Sequence, residues 1–221
     1  MKRISILCLL AAALLPAAPK LNKVHTIAGT GQKGFSDTLI DNPFGVIVGR
    51  IATGKDIRAT GSGHAGATNV MRQAGWRVAI VAAVLDVAKA FAGVWLARQF
   101  GSTPWVIALA TTAAVAGHCW PLFGGFRGGM GLSGVGGALL AIYPLGFVIG
   151  LVLALAGSLI LRHSARGNIA AGLVLGPALW LVSQSAPIGL AATGAGLVVA
   201  IRSASDWGRV YKELWLDRER A

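Results

Sequence analysis

The sequence predicts an all-α fold: a polytopic membrane helix bundle with short or broken helices and cytosolic glycine-rich loops. Three observations carry this. Of 221 residues, 55% are hydrophobic and only 13% charged, against about 25% charged in ordinary soluble domains. The apolar residues come in long blocks without the dyad alternation of a transmembrane barrel, and only helices or closed barrels satisfy their backbone in lipid. The basic residues behind the net charge of +12 sit in the loops between blocks and in the tail, as expected of cytosolic segments. Those loops lack interleaved stacking aromatics, which argues against nucleic acid as a partner and for the lipid bilayer. Cys8 and Cys119 lie far apart in apolar stretches, a spacing that supports neither a disulfide framework nor a zinc site. No metal and no cofactor are expected.

In chain order, residues 1–19 read MKRISILCLLAAALLPAAP. Lys2 and Arg3 precede an apolar run of about a dozen residues, a signal-peptide shape too short for an ordinary span of ~20 residues. Residues 20–43 are polar and turn-rich, and HTIAGTGQKGFSD followed by NPFGV resembles one repeat of an NHL-type β-propeller. One repeat cannot bury a propeller core, so residues 1–43 are read as a segment apart from the fold that follows. Residues 44–201 form the membrane domain, and 202–221 a basic amphipathic cytosolic tail.

Within the domain, 44–52 is a short apolar piece and Lys55 to Arg72 a basic polar loop. Spans are predicted over 76–97, 103–123, 168–184 and 186–201. The apolar block 132–161 is about ten residues longer than one span needs, and Pro144 interrupts its helical hydrogen bonding. A break there returns Arg162, Arg166 and the tail to the side of Arg58, Arg72 and Arg127, in keeping with positive-inside topology. The block therefore reads as two short helices, giving six or so embedded helices after residue 43. Asp86 and Lys89 stand at i,i+3 on one helical face, the spacing of a structural ion pair at membrane depth. In the tail, Trp207, Tyr211 and Trp215 recur at i, i+4 and i+8, the pattern of an interfacial helix on the inner leaflet.

Two glycine-rich polar stretches interrupt this oily chain. The first, GSGHAGATNVMR, carries Ser62, His64, Thr68, Asn69 and Arg72. Its glycines permit positive φ and an anion-binding nest, and the arginine offers a planar fork for phosphate. The second, GGFRGGMGLSGVGG, carries Arg127, Gly128, Gly129, Gly131 and Ser133. Topology puts both on one face of the membrane.

KDIRATGSGHAGATNVMR, then Asp86 and Lys89, then GHCWPLFGGFRGGMG resemble the bacterial acyl-phosphate-dependent glycerol-3-phosphate acyltransferases over roughly residues 44–201. The resemblance implies a multi-pass enzyme of the inner membrane, acting in phospholipid biosynthesis. It would transfer an acyl group from acyl phosphate to the 1-hydroxyl of glycerol 3-phosphate, giving lysophosphatidic acid and phosphate. It further implies that Ser62 and Arg72 hold phosphate, with Thr68 and Asn69 shaping the loop. Gly128, Gly129 and Gly131 would bring backbone N–H groups to the second phosphate. His64, Arg127 and Ser133 lie in the same loops and complete the expected binding set. Asp86, Lys89 and His118 take structural or supporting places. An activated donor needs positioning and charge stabilisation rather than a nucleophilic side chain, so no catalytic residue is assigned.

The sequence departs from the family pattern in three places. His64 stands where asparagine is usual, and Met130 stands where GGKG has lysine. IRSASDWGRVYKEL lacks the histidine and asparagine of the third motif, while RHSARGN at 162–168 resembles that motif but precedes the last two spans. Arg127 and Arg202 are the candidates to replace the lost cation. Two readings of other classes accompany the enzyme: a non-catalytic phosphate- or phospholipid-binding membrane protein on the same scaffold, which Met130 favours, and a small transporter, which Asp86 and Lys89 suggest but no inverted repeat supports.

Overall fold

The structure is a computed structural model describing residues 43–100, 103–122 and 124–209. The signal-like segment, the NHL-like repeat up to residue 42, and the tail beyond 209 lie outside the described residues. So do Tyr211 and Trp215, and with them the expected interfacial helix. The described chain contains helices α1 (Phe44–Thr53), α2 (Ala67–Ala74), α3 (Trp76–Phe100), α4 (Pro104–Cys119), α5 (Leu132–Ile142), α6 (Pro144–Leu161), α7 (Ser164–Ser183) and α8 (Ala186–Ala204), with a 3₁₀ turn at Ile57–Ala59. No strand occurs among the described residues.

Four helices, α3, α6, α7 and α8, are long and apolar enough to cross a membrane; α1, α4 and α5 are shorter apolar helices. With 25 residues, α3 is about 37 Å long at 1.5 Å per residue, more than the ~30 Å hydrocarbon core. Their outer faces are apolar and exposed, as at Ile80, Val84, Leu151, Val152, Leu173 and Leu181. A face of this kind marks contact with lipid or with another apolar surface.

The break in the 132–161 block falls where the sequence places it. Tyr143 is extended at φ −157°, and Pro144 opens α6, the helix position where a missing N–H costs nothing. The two helices then fold against each other, with Gly146 and Gly150 of α6 seated on Leu139 of α5. Small residues allow the other close approaches, as expected where van der Waals contact drives association in lipid. A Cβ on Gly137 of α5 would lie 2.1 Å from the Val87 carbonyl oxygen of α3, and one on Gly157 of α6 would lie 2.8 Å from that of Gly167 in α7. The central cluster joins Val94, Val115, Leu139, Leu175, Leu179 and Val199. A second cluster, Val46, Ile57, Val70 and Val78, sits beneath the first glycine-rich loop.

Several boundaries differ from the sequence reading: α3 and α8 each run three residues further, to Phe100 and Ala204, and three other differences have a local cause. α4 ends at Cys119 rather than near 123, because Pro121 follows and the chain turns back through Phe126 at φ +59°. α7 starts at Ser164 rather than 168, since His163 caps it by accepting the Arg166 amide at 3.4 Å. Residues 67–74 of the supposed polar loop are helical. A helix starting at residue 67 buries Asn69 and Val70 as its inner side, which a loop could not do cooperatively.

Candidate functional site

The first glycine-rich loop is held by Asn69. Its Nδ2 donates to the carbonyl oxygens of Ile57 at 2.7 Å, His64 at 3.0 Å and Thr60 at 3.3 Å, while its Oδ1 accepts the Ser62 amide at 3.1 Å. Asparagine suits this position because one side chain supplies both donors and acceptor to buried backbone groups. Gly61 and Gly63 take positive φ of 60° and 72°, so the loop can close around that amide. Ser62 is buried, and its Oγ accepts the His64 amide at 3.4 Å.

The second stretch docks against the first. The Gly128 carbonyl accepts the Ala65 amide, while the Gly128 and Gly129 amides donate to the carbonyls of Cys119 and His118, all at 3.2 Å. This corrects the expectation that these two amides point at a phosphate: the unpaired carbonyls ending α4 take them instead. The glycines are required for closeness, since a Cβ on Gly128 would lie 2.1 Å from the His118 oxygen and one on Gly129 would lie 2.3 Å from His118 Nε2. Gly131, at φ +95°, is the N-cap of α5, and Ser133 lies in that helix's first turn.

Below this turn Asp86 is fully buried, with Lys89 Nζ at 3.1 Å and His118 Nδ1 at 3.7 Å from its Oδ1. The expected ion pair is therefore present. His118 joins it and backs Gly129 with its ring.

A cavity of about 480 Å³ opens where the loops meet the end of α8, lined by Arg58, Ser62, His64, Arg127, Arg202 and Arg209, with Trp120 and Phe126 as its aromatic wall. Ser62, His64 and Arg127 are thus brought together. Thr68, Asn69, Arg72, Gly128, Gly129, Gly131 and Ser133 do not line it. Thr68 and Arg72 lie on the helix over 67–74, outside the cavity lining. Arg58 is buried and forks onto Asp56, with Nη2 to Oδ2 at 2.7 Å, and its Nη1 reaches the Gly124 carbonyl at 3.2 Å. It straps the two loops together. Hydrogen bonding from Arg58 holds the Asp56 carboxyl below its usual range.

His64 lies between two groups from the C-terminal end. Arg202 Nη2 is 2.8 Å from its Nδ1, and Asp206 Oδ2 is 2.8 Å from its Nε2. A guanidinium only donates, so Nδ1 accepts and Nε2 carries the proton donated to the carboxylate. Burial pushes the imidazole below its ordinary pKa, against the upward pull of Asp206. The ring is neutral.

Sequence reasoning assigned Arg58, Asp206 and Arg209 no place here, and put 202–209 in a separate tail. The available signal was Asp206 itself, one of only 8 acidic residues, set in a basic stretch.

Residues 41–213 match the family described as Glycerol-3-phosphate acyltransferase. A glycerol-3-phosphate acyltransferase of Rubrobacter xylanophilus is 48% identical over 46% of this chain and 51% of its own length. One of Thermus thermophilus is 40% identical over 64% of this chain and 74% of its own. The chain thus aligns with about half the length of the first relative and three quarters of the second. Two crystal structures of PlsY (YgiH), an integral membrane glycerol 3-phosphate acyltransferase, are 28% identical and cover 77% of this chain and 88% of theirs. Their glycerol 3-phosphate form superposes with a TM-score of 0.64 and their lysophosphatidic acid form with 0.63. The fold, the paired glycine-rich loops and these matches agree: the chain is an integral membrane protein and belongs to the glycerol-3-phosphate acyltransferase family.

Proposed function

We propose that this chain transfers an acyl group from acyl phosphate to the 1-hydroxyl of glycerol 3-phosphate, releasing lysophosphatidic acid and phosphate. The observation that carries this reading is the arginine-lined cavity at the loop end of an apolar bundle. Its volume suits a small polar substrate, and its cations and the Ser62 hydroxyl suit a dianionic phosphate. The acceptor hydroxyl attacks the acyl carbonyl, the C–O bond to phosphate breaks, and the leaving phosphate departs with its electron pair and takes up the hydroxyl proton. The chain's part is to hold two anions together against their repulsion, with Arg127 and Arg202 as counter-charge. The acyl chain lies along the lipid-facing side of the bundle.

The same end of the molecule carries Arg58, Arg127, Arg162, Arg166, Arg202 and Arg209, whereas the opposite end, by the turns at Tyr143 and Gln184, carries only Arg98 among the described residues, its guanidinium on the Ala141 carbonyl. That asymmetry supports a cytosolic site in the inner membrane. Residues 44–201 hold most of the site, with 202–209 closing it.

The test supplies purified full-length protein with acyl phosphate and glycerol 3-phosphate. Lysophosphatidic acid and inorganic phosphate should form in equal amounts; phosphate at the background hydrolysis rate sinks the reading. Arg127→Ala should raise KM for glycerol 3-phosphate by about ten- to a hundred-fold, the loss expected for one charged hydrogen bond.

A further inference from the structure

Among the cations lining the cavity, one is both fixed in place and without a carboxylate. Arg58 forks onto Asp56, and Arg209 Nη1 lies 3.9 Å from Asp206 Oδ1. Arg127 is exposed on a turn. Arg202 is anchored by three contacts: Nε to the Gly129 carbonyl at 3.2 Å, Nη1 to Ser205 Oγ at 2.9 Å, and Nη2 to His64 Nδ1 at 2.8 Å. All three acceptors are neutral, and among the described residues Arg202 makes no ion pair. Its charge is therefore oriented but not cancelled, which is what preorganised anion recognition needs.

We propose that Arg202 is the cation that positions the phosphate of the acceptor substrate, and that His64, itself fixed by Asp206, is the positioning residue that aims it. The identity of the substrate rests on the function proposed above. His64 can do this in one tautomer only, accepting from Arg202 and donating to Asp206. A second proton on Nδ1 replaces the acceptor by a donor and sets two cations against each other. The groups facing His64 are Arg202, Asp206 and Arg209 from the end of α8, Arg58 from its own loop, and Arg127 from the α4–α5 turn.

The experiment titrates glycerol 3-phosphate into the full chain in nanodiscs by calorimetry, alongside turnover. His64→Ala should weaken binding about tenfold or more. His64→Asn should restore most of that loss, because its amide offers an oxygen to Arg202 and an N–H to Asp206. Arg202→Ala should lose as much, and the double variant no more than Arg202→Ala alone, as coupled neighbours do. As pH falls below the ordinary imidazole value of about 6.5, wild-type affinity should fall more steeply than that of His64→Asn. The substrate's own ionisation near pH 6 is common to both. Additive losses, or parallel pH profiles for wild type and His64→Asn, overturn the proposal. The profile decides even if His64→Ala is poorly recovered. Wild type that binds in this His64-dependent way but does not turn over removes the proposed reaction and keeps Arg202; turnover unaffected by these variants does the reverse.

Discussion

The Gly128 carbonyl oxygen accepts the Ala65 amide at 3.2 Å, and this bond joins the two glycine-rich stretches into one surface. Gly128→Ala should break it, because the new Cβ would collide with the carbonyls of both His118 and Cys119. Backbone cannot retreat as a flexible side chain can. A loss of about 1–3 kcal/mol is expected, read as a lowered Tm with at least tenfold lower turnover. Gly93→Ala, where the added Cβ meets nothing within 4 Å, should instead stabilise by about 0.5–1 kcal/mol.

Asn69→Ala tests whether the first loop is held by one amide. The Ser62 amide and the Ile57 carbonyl would each lose a partner in a buried setting, at about 1–3 kcal/mol per group. Proteolysis of the 57–66 segment should accelerate and substrate affinity should fall. Asn69→Asp should not rescue, since a carboxylate brings no N–H for the three carbonyls.

The crossing of α7 and α8 depends on Gly172 and Gly196, where an added Cβ would meet the opposite glycine's carbonyl oxygen at 2.4 and 2.1 Å. Gly196→Leu should lower Tm more than Leu197→Ala, because Leu197 is exposed on the outer face. Equal effects would mean the crossing is loose.

The Asp56–Arg58 strap gives a pH dependence with a definite sign. The folded-state pKa of Asp56 is lowered by hydrogen bonding from Arg58, so the native state favours the ionised form. Its contribution is complete above the ordinary carboxylate pKa of about 4 and disappears as pH falls through the lower folded value. Wild type should therefore exceed Asp56→Asn in Tm at pH 7, and the gap should narrow below about pH 4. A gap that widens on acidification would assign the strap to some other group.

The membrane architecture was legible because lipid imposes it locally. Each apolar block had to be a helix, and the charge of Arg162 and Arg166 was enough to place the break at Pro144. The site was only partly legible, because its geometry depends on distant contacts. Nothing near Gly128 says that α4 will end at Cys119 and absorb the glycine amides. Nothing near His64 says that the end of α8 will arrive beside it with an arginine and a carboxylate. Residue type marked Ser62, His64 and Arg127 as polar groups with no reason to be buried in oil. Thr68 and Arg72 look equivalent to them in one dimension, yet they lie on the helix over 67–74 and do not line the cavity.

Because the carbonyls of α4 take up the Gly128 and Gly129 amides, the proposed recognition in the cavity would rest on side chains and the first loop rather than on these two amides. A main-chain cradle passes unchanged through most substitutions, whereas a side-chain site can be rewritten one codon at a time without refolding its loops. On the proposed function, methionine in the place of lysine and histidine in the place of asparagine are changes such a site can accept in sequence, each adjusting how tightly a phosphate ester would be held.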